Sequence, residues 1–320
     1  MKTIFYPDEC LNDGSFTTAN HLAGGGFAAT IGFFDGVHQG HRFLIERLKD
    51  EAQKRGLQSM VITFERHPRQ VLQDEWQPEL LTTLTEKMAM MAETGIDMLV
   101  VLRFDRQMAA LSALDFMQLM KERLQVECLL TGYDNRFGHD RTEGFDDYRR
   151  YGKELGIEVV CGDALTVGQQ NVSSSRVRRL LSEGRVDEAA CCLGRPYSLT
   201  GQVVHGEQIG RTIGFPTANM QPDDSKLIPL DGVYAVMTNI EGEGKRKGVM
   251  NIGTRPTFDG KKRTLEVNII DGMGDFYEKT MTVHFIARLR GEQHFPSGEA
   301  LAAQIEQDKE QAEKILITTN

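Results

Sequence analysis

The sequence predicts an α/β chain in two parts: a parallel sheet flanked by helices, then a smaller antiparallel β-barrel or sandwich with a closing helix. Three observations lead there. Between Phe27 and about Asp163, short and almost wholly apolar runs alternate with longer patterned segments: FAATIGFF, SMVITF (59 to 64), MLVVLRF (98 to 104), ECLLTG (127 to 132) and IEVVCG (157 to 162). Such strands, separated by helices, belong to a parallel sheet covered on both faces. Beyond Arg195 and Pro196 the texture changes to β-rich runs, several alternating in polarity, joined by turn residues rather than long helices. Finally, 320 residues are long for one core and comfortable for two. Domains at 1–194 and 195–320 are therefore expected.

Each element carries its own signal. RFLIERLKDEAQKR places Phe43, Leu44, Leu48 and Ala52 on one face of a helix that stops at Gly56. LDFMQLMKERL does the same with Leu114, Met117, Leu119, Met120 and Leu124. In VSSSRVRRLL, Ser173 or Ser174 can cap a helix carrying Arg176, Arg178 and Arg179. A short helix from Val186 to Leu193 ends at Gly194. The second part offers LTGQVVH, GVYAVMTNI, KGVMNIG, TLEVNIID and TMTVHFIARL as strands of a small barrel or sandwich. SGEALAAQIEQDKEQAEKIL then reads as a helix capped by Ser297, with Leu301, Ile305 and Ile315 packing back on the sheet.

Composition narrows the function classes. The apolar fraction of 40% and charged fraction of 26% are those of an ordinary globular protein. No stretch approaches the roughly 18 uninterrupted apolar residues of a membrane span. The first ten residues carry Lys2, Asp8 and Glu9, so a cytoplasmic location without a membrane partner is expected. A net charge of −9 argues against a general nucleic-acid binder. An acidic protein that handles anionic nucleotides must do so with local amides, a few Arg or His, and metal ions. Cys10, Cys128, Cys161, Cys191 and Cys192 are odd in number, lack CxxC spacing, and read as reduced structural thiols.

The stretch richest in chemistry is GFFDGVHQGH, Gly32 to His41, where the first apolar run hands over to the first helix. Backbone N–H groups at a helix start point outward unpaired and the dipole is positive there, so phosphate is attracted. Two histidines three residues apart, flanked by Gly36 and Gly40, suggest chemistry on a phosphate. HxxH spacing alone is weak; a zinc site would require further ligands, and the chain has no HExxH and no Cys/His cluster. In open α/β sheets ligands bind outside the carboxyl ends of the strands. TFERHPR (63 to 69) and TGYDNRFG (131 to 138) lie at two more such ends, so three loops are expected to converge on one crevice.

Taken together, GFFDGVHQGH and VSSSRVR resemble the HxGH and ISSTxxR signatures of the nucleotidyltransferase superfamily. More closely, the N-terminal part is similar to the FMN adenylyltransferase module of the bacterial bifunctional riboflavin kinase/FAD synthetase family. The likeness continues through TFERHPRQVL (63 to 72), LLTTLTEK (80 to 87) and TGYDNRFG. GQVVHGEQIGRTIGFPTANM (201 to 220), GVYAV, NIGTRPTF (251 to 258), LEVNIID and FIARLRGEQHF resemble the riboflavin kinase module, so the resemblance runs from about residue 15 to residue 310.

The resemblance implies a Rossmann-like nucleotidyltransferase sheet followed by a riboflavin kinase-like barrel, and two reactions. ATP phosphorylates riboflavin to FMN in the barrel, and a second ATP adenylylates FMN to FAD in the α/β part, releasing pyrophosphate. Mg2+ is the implied cofactor and ATP the co-substrate; the implied partners are small molecules, and weak self-association is compatible with the pattern.

By the same resemblance, Gly32, Phe34, Asp35, Gly36, His38, Gly40 and His41 form one half of an ATP site, and Ser174, Ser175 and Arg176 clamp its β and γ phosphates. Phe64, His67, Pro68, Arg69, Asp134 and Phe137 are the implied flavin contacts. Adenylyl transfer needs no strong base, because the FMN phosphate is already an oxyanion. It needs two anions held together and the leaving pyrophosphate neutralised, which His38, His41 and Arg176 can supply. In the kinase module Gly206, Gly210 and Arg211 lie in a loop suited to phosphates. Thr217 and Asn219 offer hard oxygens for Mg2+, and Asn251 and Arg290 line the site. The nucleophile there is a neutral ribityl hydroxyl, and Glu266 is the implied base.

Three positions depart from the family pattern, which usually has a small polar residue at Phe33, a phenylalanine at Asn135 and a threonine at Ser175. Three rival readings are another HxGH nucleotidyltransferase with an accessory barrel, a class I aminoacyl-tRNA synthetase, which also uses HxGH but which the lack of a KMSKS-like segment and of a basic RNA-binding domain opposes, and a flavin-binding protein without turnover.

Overall fold

A computed structural model of the chain describes every residue other than 8–24, 69, 71–78, 133–134, 140–141, 164, 168–169, 206–214, 258–259, 271, 273, 275 and 318–320; it also leaves out the side chains of 166–167, 170, 255–257 and 260–262. The described chain forms two compact units, Met1–Val172 and Ser173–Asn320.

In the first unit the strands β1 (Lys2–Tyr6), β2 (Phe27–Ile31), β3 (Gln58–Phe64), β4 (Met98–Leu102), β5 (Val126–Gly132) and β6 (Glu158–Gly162) pair in the order β1-β4-β3-β2-β5-β6. All of these pairings are parallel. The two-residue period of the strands explains the near-continuous apolar runs. Ala29, Ile31, Met60, Ile62 and Val100 face one core, while Ala28, Val61, Leu99, Val101 and Leu130 face the other. Helix α1 (Gln39–Arg55) and helix α2 (Leu84–Ala92) cover the second face; α3 (Ala113–Leu124) and α4 (Phe145–Leu155) cover the first.

Two helix readings require correction. In α1 the buried stripe is Ile45, Leu48 and Ala52, and Phe43 is 40% exposed. Phe43 lies two positions before Ile45, close to the opposite side of a 3.6-residue helix. In α3 the buried residues are Ala113, Phe116, Met117, Met120 and Leu124, and Leu114 and Leu119 are only half-buried. The strand KTIFY, for which the sequence reading made no provision, is a short, half-exposed edge strand and so lacks an apolar run. Gly56 ends α1 in the left-handed conformation at φ 65°, as its position implied.

In the second unit helices α5 (Ser174–Ser182) and α6 (Val186–Leu193) precede a closed antiparallel barrel. Its strands are β7 (Tyr197–Val204), β8 (Ala218–Pro222), β9 (Gly232–Ile240), β10 (Gly244–Thr257), β11 (Gly260–Ile269) and β12 (Thr280–Arg290), in the order β8-β11-β10-β9-β12-β7. Strand β8 closes the ring between β7 and β11. It was absent from the sequence expectation because PTANMQP, with a proline at each end, reads as a turn. Helix α7 (Gly298–Ile317) follows, with Ser297 Oγ accepting from the Ala300 N–H at 3.2 Å. Its Ala312 and Leu316, with Ile315, pack on Val233, Ala235 and Val249.

Candidate active sites

Strand β2 ends at Ile31 and α1 begins at Gln39, so the chain must reverse within GFFDGVH. It does so with positive φ at Phe34 (54°), Gly36 (81°) and Val37 (38°). For glycine this is free, but for a phenylalanine and a β-branched valine it costs about 1–3 kcal/mol each and persists only where the surroundings impose it. The surroundings are explicit. Val37 N–H donates to Phe34 O at 3.1 Å and Gly36 N–H to Thr82 Oγ1 at 3.0 Å. The buried Asp35 carboxylate accepts from the Leu81 and Thr82 N–H groups at 3.0 Å and from Thr82 Oγ1 at 3.2 Å. Asp35 therefore holds the turn onto the LLTT segment.

His38 is the N-cap of α1, its Nδ1 accepting from the His41 N–H at 3.2 Å. An accepting Nδ1 puts the proton of the neutral ring on Nε2. The two imidazoles stack at 3.5 Å, and His41 meets the edge of Phe34 at 5.1 Å. His41 Nδ1 is shut off from solvent and has no hydrogen-bond partner among the described residues. Burial first, then the positive fields of His38 and Lys87, hold the His41 pKa well below the usual 6.5. Gly40 is tightly surrounded: a Cβ there would stand 3.1 Å from the carbonyl oxygen of Val172, which opens the VSSSRVR run, and 3.2 Å from the His38 ring, so its neighbours would have to give by a few tenths of an ångström.

Beside this turn lies a cavity of about 240 Å³, lined by Gly32 and Phe33 after β2, Phe64, His67 and Pro68 after β3, and Asn135 to His139 after β5. The three loops thus meet, and a fourth, carrying Phe104, Met108 and Leu111 after β4, joins them. Phe137 is stacked on the buried Tyr148 ring at 4.1 Å, and its N–H donates to the Tyr148 hydroxyl at 3.0 Å. Phe33 meets His67 edge-on at 4.6 Å, and Asn135 Nδ2 donates to Ile31 O at 2.6 Å. The two departures from the family pattern therefore both belong to this one cavity.

In α5, Ser173 is the N-cap, accepting from the Arg176 N–H at 3.3 Å. Ser174 and Ser175 occupy the first turn, and Arg176 is half-buried. Of the other residues singled out from the sequence, Arg69, Asp134, Gly206, Gly210 and Arg211 lie outside the described residues.

In the barrel, strand register assembles one row across neighbouring strands. Asn219 on β8 stands opposite Glu266 on β11, Glu266 opposite Asn251 on β10, Asn251 opposite Val233 on β9, and Val233 opposite Arg290 on β12. Residues directly opposite one another project to the same side of the sheet. Glu266 Oε2 also comes within 3.5 Å of Thr217 Oγ1. Glu266, Asn251 and Arg290 line a cavity of about 550 Å³ together with Leu301 and Ile305 of α7. A second cavity of about 600 Å³ runs past Pro216, Phe276, Tyr277 and Lys309, and Phe215, Thr217 and Asn268 belong to the walls of both. Two compartments meeting at Thr217, with a carboxylate beside it, suit transfer of a group between two ligands.

Several contributors had escaped notice. Asp308 of α7 grips the Arg290 guanidinium with contacts of 2.8 to 3.1 Å, and both side chains are largely buried. Its signal was present, since Leu301, Ile305, Asp308, Ala312 and Leu316 form one helical stripe. Asn268 follows Glu266 by two residues on the same strand face and donates through Nδ2 to Pro216 O at 2.9 Å, pinning the entry to PTAN. Lys87 and Thr82 support the GFFDGVH turn from LLTTLTEK.

A nucleotidyltransferase-type sheet joined to a barrel with paired cavities defines a two-module transferase. The FAD synthetase family model matches residues 23–176, and the riboflavin kinase family model matches residues 193–316. The bifunctional riboflavin kinase/FMN adenylyltransferase of Escherichia coli is 41% identical over 285 residues, covering 89% of this chain and 91% of that protein. The protein of the same description from Listeria monocytogenes is 36% identical, covering 97% of this chain and 96% of its own. A crystal structure described as a macrolide-efflux protein from Streptococcus pneumoniae matches with a TM-score of 0.84 at 30% identity, over 96% of this chain and 97% of that one. The chain belongs to the bifunctional riboflavin kinase/FMN adenylyltransferase family, and its two modules phosphorylate riboflavin to FMN and adenylylate FMN to FAD.

Proposed function

We propose the following residue roles for the two reactions. In the barrel Glu266 takes the proton from the ribityl hydroxyl as that oxygen attacks the γ phosphorus of ATP, and the bond to the β,γ-bridging oxygen breaks to release ADP. The observation that carries this is the row Asn219–Glu266–Asn251 beside Thr217, at the junction of the two cavities. The 550 Å³ cavity, walled by Val233, Val249, Phe295, Leu301 and Ile305 beside Glu266, takes riboflavin, and the cavity past Phe276, Tyr277 and Lys309 takes the nucleotide. Thr217 and Asn219 offer oxygen donors of the kind Mg2+ prefers, next to a carboxylate, and the fit is that of a cation otherwise held by substrate phosphates. Mg2+ bound there would neutralise charge on those phosphates.

In the α/β module His38 and His41, at the start of α1, donate to the ATP phosphates. Ser174, Ser175 and Arg176 carry the complementary role that the family signature gives them, countering the charge that grows on the leaving pyrophosphate. FMN occupies the cavity between Phe33, Phe64, His67 and Phe137, its phosphate directed toward the turn. The functional modules are 1–194 and 195–320, working in the cytoplasm on small-molecule substrates.

An efflux role, suggested by the description of the pneumococcal structure, is not favoured: among the described residues no helix is long and apolar enough to cross a membrane, and both enzyme families account for the chain. The purified chain incubated with riboflavin, ATP and Mg2+ should yield FMN and then FAD on chromatography, with omission of Mg2+ stopping both. Turnover unchanged by metal removal would refute the Mg2+ assignment, and unimpaired phosphorylation by Glu266→Gln would refute the base.

A further inference from the structure

Lys87, the fourth residue of α2, is 2% exposed and lies within the apolar side of the helix that covers the sheet. Its Nζ donates to Phe33 O at 3.0 Å, to Thr63 Oγ1 at 3.1 Å and to Phe64 O at 3.1 Å. An ammonium has three donors, and all three are matched. Thr63 Oγ1 in turn donates to Phe33 O at 3.1 Å, which closes the network, and the ammonium stands 4.2 Å above the Phe33 ring. Burying a cation is unfavourable, and an apolar side chain at this helix position would serve the core better unless the charge and the donors are needed.

What the three acceptors share is their place. They belong to the ends of β2 and β3, where the phosphate turn and the TFERHPR loop depart, and Phe33 and Phe64 both wall the 240 Å³ cavity.

We propose that Lys87 is a positioning residue of the adenylyl-transfer site, whose ammonium ties the Phe33 and Phe64 backbones together and keeps a positive charge behind the turn that carries His38 and His41. The inference rests on the reading that this cavity takes FMN. The charged groups around Lys87 are Asp35 from the turn after β2, His38 and His41 from the start of α1, and Glu86 on its own helix, whose carboxylate is turned back to the Thr83 N–H at 2.9 Å. Burial brings the Lys87 pKa down to about 8, with Asp35 opposing. The charge is present below that pH and lost above it. Loss leaves one fewer donor for three acceptors and removes part of the field that keeps His41 neutral.

The test uses the full chain, with FAD formation from FMN, ATP and Mg2+ as the readout and riboflavin phosphorylation by the same preparation as the internal control. Lys87→Met should lower kcat/KM for FMN adenylylation by on the order of 100-fold, the effect of a small displacement of an aligned site, while riboflavin phosphorylation is retained. In the wild type kcat/KM for FAD formation should fall above about pH 8, and Lys87→Arg, whose guanidinium does not titrate there, should lack that limb. A merely structural role gives the opposite trend with pH. Between about 8 and 10.5 the unfolded chain binds the extra proton, so this group's contribution to stability rises with pH while the activity falls.

Lys87→Met activity within about threefold of wild type, or a wild-type profile flat through that window, overturns the proposal. If Lys87→Met does not fold, the wild-type profile decides alone. A wild type that makes no FAD at any pH would instead refute the FMN reading of the cavity.

Discussion

His41 presents an imidazole whose Nδ1 is buried without a partner, in a ring stacked on a second histidine at the positive end of a helix. A buried polar atom left in this state costs about 1–3 kcal/mol, a penalty that persists because the neighbouring turn is locked by Asp35 and Thr82. With its pKa held well below 6.5 the ring is neutral at physiological pH, so it can donate a proton in a hydrogen bond without carrying a charge that ATP would have to arrive to balance. His41→Ala should lower FAD formation from FMN by about 10²- to 10³-fold, the usual effect of removing one donor to a developing anion. Riboflavin phosphorylation in the same tube should be unchanged. The sign of the pH effect on stability follows as well. Between the native pKa and 6.5 the unfolded chain binds more protons, so wild-type stability falls as pH drops through 6.5. Melting temperatures measured across that window should fall more steeply for wild type than for His41→Ala.

At the scale of elements, helix α7 is held by two different means. Ala312 and Leu316 bury an apolar stripe against β9 and β10, and one turn earlier Asp308 holds Arg290 at the end of β12. Breaking a buried pair by neutralising one partner leaves an uncompensated charge and costs about 3–5 kcal/mol, whereas replacing both with apolar groups of similar volume is often neutral. Asp308→Asn should therefore lower the midpoint of barrel unfolding in a denaturant titration and raise the riboflavin KM, since Arg290 lines the cavity. The double substitution Arg290→Met with Asp308→Leu should recover most of the stability but not the KM.

This helix also shows how far the sequence could be read. Its existence and its Ser297 cap were legible, and Ile315 packs on the barrel core as expected, but Leu301 and Ile305 line the cavity instead, and a reading that scores apolar residues passed over the aspartate of the buried stripe Asp308, Ala312 and Leu316. Lys87 escaped for the same reason: LLTTLTEK displays its capping box openly, yet a lysine is among the residues least often buried. The histidine turn, the PTAN segment and Glu266 were readable as motifs, while the register that aligns Asn219, Glu266 and Asn251 depends on strand β8, which the flanking prolines disguised.

At the scale of the whole molecule, the three cavities described above are each lined by described residues of one unit. On the proposed roles, FMN made beside Glu266 leaves one set of walls and enters another before it is adenylylated. If each module is complete in itself, the two activities are separable by single substitutions and can be supplied by different chains. Full-length Glu266→Gln alone should give neither FMN nor FAD from riboflavin, yet should convert added FMN to FAD. Full-length His41→Ala alone should accumulate FMN. Mixing the two inactive proteins should restore FAD synthesis from riboflavin after a lag set by the build-up of free FMN, and raising the concentration of the Glu266→Gln protein should shorten the later phase without altering the first. FMN that stays bound to the His41→Ala protein, leaving the mixture without FAD although Glu266→Gln converts added FMN, would refute free exchange of FMN between the two sites.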